Sequence, residues 1–129
     1  LVVAGSAVYA AALAVLAVVG TPPLPVVAGV FTLAGFLTGA YVLTYTVVVE
    51  QFAPEESGVA TGAVNAIGFV GPALLPTVMG LALDAFWTGE TIGGARVYTT
   101  LGYRVAFAIT AALAGVGFLA SVWLHRRTA

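Results

Sequence analysis

The chain has 129 residues, of which 61% are hydrophobic and 7% charged, with five acids and four arginines setting the net charge at −1. Soluble domains carry about 25% charged residues to cover their surface, so nine charges exclude a water-soluble globule. High hydrophobicity excludes disorder, the absence of a basic footprint excludes a nucleic-acid surface, and the absence of cysteine excludes disulfides and thiolate metal sites.

A spanning helix needs about 20 mostly apolar residues. The first such run is Leu1 to Gly20. It opens on an apolar stretch rather than on a methionine or a basic signal region, which reads as a fragment cut just before its first span. Three prolines in Thr21 to Pro25 then break any helix. A second span is expected over residues 26–49, followed by the connector Glu50 to Ser57. In that connector Pro54 suits a first helical position, and Glu55 and Glu56 sit where the helix dipole favours anions. A third span is expected over residues 58–83. The polar stretch from Asp84 to Gly102, with three glycines and several threonines before Gly102, reads as an exposed loop. The fourth span, 103–124, ends at His125-Arg126-Arg127. Trp87, Tyr98, Tyr103 and Trp123 lie near span ends, as interfacial aromatics do. The fold class expected is therefore an all-α membrane protein of four transmembrane helices in a single bundle, residues 1–129. Its partner is the lipid bilayer, and nothing in the chain calls for a nucleic acid, a metal or another cofactor. Four spans place both termini on one side. Each side then holds two arginines, so the charge count leaves the orientation open.

The two middle spans carry the polarity. At 100° per residue, Gly58, Gly62, Asn65, Pro72, Pro76 and Gly80 fall within about 80° of one another on the third helix. Glycines on one face admit a close neighbour. Pro72 and Pro76 withhold N–H groups from the carbonyls of Gly68 and Pro72, which then need other donors. Asn65 is costly in lipid and should face protein or a cavity. On the second helix, Thr32, Gly35, Gly39 and Thr46 form one arc of about 60°, read as a packing seam. Thr38, Tyr41 and Tyr45 form another arc of about 60° that presents hydroxyls. The outer helices, with only Ser6, Tyr9, Thr110 and Ser121 among apolar residues, read as peripheral. Helices two and three should therefore line any interior.

Enzyme chemistry finds little support. No paired carboxylates lie within a span and no histidine cluster exists. Ser121 and His125 share a helix face, but His125 sits at the basic membrane edge, where an anchoring role is expected. No catalytic residue is assigned.

The segment Phe52-Ala53-Pro54-Glu55-Glu56-Ser57-Gly58-Val59-Ala60-Thr61-Gly62 resembles the cytoplasmic turn that leads into the eleventh helix of major facilitator superfamily transporters. The continuation from Val64 to Pro76, then Gly80 to Asp84, resembles that helix itself. Gly102-Tyr103-Arg104-Val105-Ala106-Phe107 is similar to the start of the twelfth. The resemblance covers essentially the whole chain as helices nine to twelve. A competing placement, helices three to six, is weakened by Leu75, where a glycine would be expected, and by the short basic tail. The resemblance implies a multi-pass protein of the cell membrane with cytoplasmic termini, moving a small solute by alternating access between two six-helix halves. It also implies that Thr38, Tyr41, Tyr45 and Asn65 are substrate-pathway positions, and that the remaining helices lie outside this chain. Gly35, Gly39, Gly58, Gly62, Pro72 and Pro76 would serve packing or hinge roles. None of the four spans carries a mid-membrane carboxylate, so a proton-coupling group would have to lie elsewhere. The alternative is a self-contained four-helix membrane protein that oligomerises as a scaffold or minimal exporter.

Overall fold

The first apolar run forms α1 (Val2–Val19), which stops where Gly20 turns into the left-handed region at φ 70°. The computed structural model describes residues 2–39 and 42–128. Past the prolines, α2 (Leu24–Gly39) begins with Pro25 in its first turn, where a missing N–H costs nothing. The rest of the second expected span is α3 (Val42–Gln51). α4 (Pro54–Asp84) starts on Pro54 after an extended Ala53, with Glu55 and Glu56 in its first turn, and runs unbroken through Pro72 and Pro76. α5 (Thr100–Thr128) ends on His125, Arg126 and Arg127, cations placed where the helix dipole favours them.

Among the described residues three helices, α1, α4 and α5, are long and apolar enough to cross a membrane; α2 is apolar but shorter. The second expected span is thus represented by α2 and α3, with residues 40 and 41 between them outside the described residues. Large side chains are left bare: Phe36 is 81% exposed, Val59 77% and Ile67 75%. In water such surface would drive aggregation, whereas against hydrocarbon it costs nothing.

The stretch expected to be a loop is instead an antiparallel hairpin, β1 (Trp87–Ile92) and β2 (Ala95–Tyr98). Gly93 and Gly94, at φ 59° and 83°, make the two-residue connection, since a type I′ turn needs positive φ at both central positions. Trp87 pairs with Tyr98 and Ile92 with Ala95, with an irregularity between Trp87 and Thr91, near Gly89 at φ 89°. Thr99 caps α5 by accepting the Gly102 N–H at 3.2 Å. Gly102 is buried against the hairpin root. A Cβ there would lie 2.8 Å from Cβ of Phe86.

Packing centres on α1 and α5, the two helices expected to be peripheral. They run antiparallel, with Ser6 bonded to Ser121 at 2.9 Å near one end and Arg104 Nε donating to the Ala17 carbonyl at 2.9 Å near the other. Leu13, Leu16 and Ala106, the buried apolar residues among those described, all belong to this pair. α2 rests on α1 and reaches α5 through Phe31 and Phe107, edge to face at 6.5 Å. α4 touches α5, where the Thr110 hydroxyl lies 3.4 Å from Met79 Sδ, and α3 lies along α4. No described residue of α4 is buried. The polar stripe expected to face an interior is therefore only partly covered by the described residues, with α3 against it at Asn65.

Candidate functional site

The pathway positions come from three helices, and the fold brings two of them into contact. Tyr45, half-buried on α3, donates its phenolic hydrogen to Oδ1 of Asn65 on α4 at 2.5 Å. Asn65 is otherwise exposed, so this contact meets part of the need that a carboxamide in lipid creates. Thr38, near the end of α2, donates its hydroxyl to the Ala34 carbonyl at 2.8 Å within its own helix. Such back-bonding satisfies a hydroxyl in an apolar setting and leaves only its lone pairs facing outward. Tyr41 lies outside the described residues.

Thr38 also lines an open cleft of about 370 Å³ with Gly68, Phe69 and Pro72 of α4. The cleft is reached from the Asn65 face, because residues 65, 68, 69 and 72 fall within about 100° of one another on a helix. Pro72 has no N–H to give the Gly68 carbonyl within α4. Phe69 is 62% exposed beside it. None of the described lining residues carries a charge. Gly68 and Phe69 were not singled out from the sequence as pathway residues. Their spacing of three and four from Asn65 is the signal that marks them as sharing its face.

The glycine positions stand differently. A Cβ added at Gly35, Gly39, Gly58 or Gly62 would meet nothing within 4 Å. Among the described residues none packs directly on these four glycines. Pro72 borders the cleft, while Pro76 lies one turn further along α4 in an exposed position.

Ser121, set aside above as a nucleophile, shares its hydroxyl between Ser6 and the Phe118 carbonyl at 2.7 Å. It ties α5 to α1.

At the hairpin end, Asp84 receives Arg96 Nη1 at 2.7 Å and the Tyr98 hydroxyl at 3.2 Å. Arg96 also stacks over Trp87 at 5.0 Å from the ring centroid. A carboxylate closing a helix opposes the helix dipole, and Arg96 offsets that charge while fastening the hairpin to α4. Asp84 in turn holds the Arg96 guanidinium above its already high range. Tyr98 is raised above the ordinary phenol value of about 10, first by partial burial and then by the neighbouring Asp84 carboxylate. At the other end Arg127 stacks over Trp123 at 4.2 Å.

Among the described residues, fold and site together define a mostly helical protein with three helices long and apolar enough to cross a membrane, and with a cleft lined by Thr38 of α2 and Gly68, Phe69 and Pro72 of α4. No family model, no curated protein and no solved structure matches the chain.

Proposed function

We propose that this chain is part of a secondary transporter of the major facilitator type, with α2 and α3 crossing the membrane together as one of four spans. In this reading α2, α3 and α4 form part of the wall along which a small solute moves. The observation that carries it is the convergence of hydroxyl, carboxamide and proline-freed carbonyl groups on α4 and its neighbours. Groups that are expensive in hydrocarbon persist where they face a pathway. The remaining helices of the bundle would cover the open glycine stripe of α4. The protein would sit in the cell membrane with its C-terminus in the cytoplasm and would perform no covalent chemistry.

The chain has no native cysteine, so single cysteines report on water access directly. Thr38→Cys and Asn65→Cys should react with a membrane-impermeant thiol reagent in intact membranes. Leu119→Cys, exposed on α5 away from the cleft, should not. Failure of both pathway positions to label would overturn the reading.

The open stripe on α4 also supports a second reading, a self-contained protein that covers that stripe with another copy of itself. A defined oligomer of the isolated chain in detergent would favour it, and a monomer would count against it.

A further inference from the structure

The two arginines at the hairpin end are provided for differently. Arg96 has the Asp84 carboxylate at 2.7 Å, whereas among the described residues no carboxylate lies within 4 Å of Arg104. The Arg104 Nε–H goes to the Ala17 carbonyl at 2.9 Å, and its other N–H groups make no bond to a described residue. Its side chain is exposed. Arg104 shares one face of α5 with Thr100: a Cβ added at Gly20 would stand 3.6 Å from Cδ of the first and 3.7 Å from Cγ2 of the second. Gly20 also lines a cleft of about 170 Å³ with Leu16, Pro22, Val27, Tyr103 and Phe107. This cleft lies where α1 ends and α5 begins, the end at which Tyr98 and Tyr103 meet edge to face at 6.1 Å. Aromatic residues gather in this way at the level of lipid headgroups. A cation at the edge of hydrocarbon is costly unless an anion meets it, and at that depth the anion in supply is the phosphate of a phospholipid. The planar guanidinium fork suits phosphate, and the first turn of α5 adds the positive end of its dipole.

We infer that the corner of α1, α2 and α5 is a phospholipid site, in which Arg104 holds the headgroup phosphate and the cleft beside Gly20 receives the first part of an acyl chain against Leu16, Val27 and Phe107. An acidic headgroup is favoured over a zwitterionic one, because choline would bring a second positive charge towards Arg104. The inference needs α1 and α5 to cross a membrane, and it is independent of transport.

The test places the full chain in phosphatidylcholine nanodiscs, replaces a rising share of that lipid by phosphatidylglycerol, and follows the chemical shift of the Gly20 amide. One arginine at an anionic surface gives a preference of roughly fivefold, so the shift should be half complete when about one lipid in six is phosphatidylglycerol. In Arg104→Gln the response should become linear in lipid fraction, as it is without preference. Thr100→Glu supplies the missing counter-charge from within, one turn before Arg104. An acid there also suits the helix dipole, so this variant keeps its fold and decides the matter if Arg104→Gln does not. It too should respond linearly. Arg126→Gln, at the far end of α5, should leave the native curve unchanged. A linear response in the native chain, or a preference that survives Thr100→Glu, would overturn the inference. A preference lost equally in Arg126→Gln would reduce it to general surface charge and overturn it as well. Inorganic phosphate that moves the Gly20 shift to the same end point in pure phosphatidylcholine discs would make this a site for a free anion and reject the lipid.

Discussion

The phenol of Tyr45 and the carboxamide of Asn65, 20 residues apart in the chain, meet as donor and acceptor across the α3–α4 contact at 2.5 Å. Each is a polar group that hydrocarbon penalises, and each lowers that penalty for the other. The bond thereby sets how α3 is placed along α4. Tyr45→Phe should cost about 1 kcal/mol in denaturant unfolding followed in detergent, within the range for interhelical bonds in membranes. Adding Asn65→Ala to Tyr45→Phe should cost clearly less than Asn65→Ala does alone. Fully additive losses would mean the two side chains do not cooperate.

The α1–α5 pair is held near both ends by polar contacts. Arg104→Leu removes the donor to the Ala17 carbonyl and should cost about 1 kcal/mol, since the arginine is exposed and part of its charge is screened. Ser121→Ala should cost less, about 0.6 kcal/mol, as single hydroxyl bonds between membrane helices do. Thermal unfolding of the two variants and their combination would rank them, and a larger loss for the serine would reverse this account.

Gly102 is where the hairpin root and α5 approach most closely. In Gly102→Ala the new methyl would meet the Cβ of Phe86 at 2.8 Å, an atom that no side-chain rotation can move. Overpacking of this kind should lower stability by roughly 1–3 kcal/mol. Phe86→Ala keeps that Cβ and should recover little of the loss, read as a shift in thermal midpoint. A Gly102→Ala protein as stable as the parent would contradict the close approach.

Glycines elsewhere should respond with opposite signs. Gly93→Ala and Gly94→Ala force a side chain into the left-handed region and should each cost about 1 kcal/mol of hairpin stability, seen as loss of nuclear Overhauser contacts between Trp87 and Tyr98. Gly62→Ala sits in a helix with nothing within 4 Å, so in this isolated chain it should stabilise by about 0.5–1 kcal/mol. A destabilised Gly62→Ala in the isolated chain would show that its face is already covered.

The phenol of Tyr98 gives the hairpin a dependence on alkali. Its folded-state pKa lies above the unfolded value of about 10, so its contribution is fully present below that pH and is lost as pH rises through the folded value. Phenolate absorbance should therefore report a Tyr98 midpoint above 10. In Asp84→Asn, where the carboxylate repulsion is gone, the midpoint should move down but not all the way, because partial burial still disfavours the anion. An unmoved midpoint would remove Asp84 as a cause.

Chain length and patterning alone specified most of the helices. Uncharged runs of 18 residues and more have no state other than helix in hydrocarbon, because every backbone donor must be met within its own segment. The start of α4 at Pro54 and the basic close of α5 were readable for the same local reason, since caps and dipoles act within one turn. The hairpin is legible in the sequence as well. Gly93-Gly94 between Thr91-Ile92 and Ala95-Arg96-Val97 is a two-residue turn flanked by strand-formers, hidden by the general polarity of the stretch. The polar residues of the middle helices stood out by type, because hydrocarbon penalises them wherever they point. Tertiary structure alone decided their partners: Tyr45 with Asn65, Thr38 across from Gly68 and Phe69, Ser6 with Ser121, Arg104 with the end of α1. It also put the best-packed contact between the two most featureless helices and left Gly58 and Gly62 of α4 with no described neighbour within 4 Å. Periodicity fixes which residues share a face of one helix. Which helix meets that face depends on packing between segments far apart in the chain, where alanine, valine and leucine offer many nearly equal surfaces and one hydrogen bond is enough to choose among them.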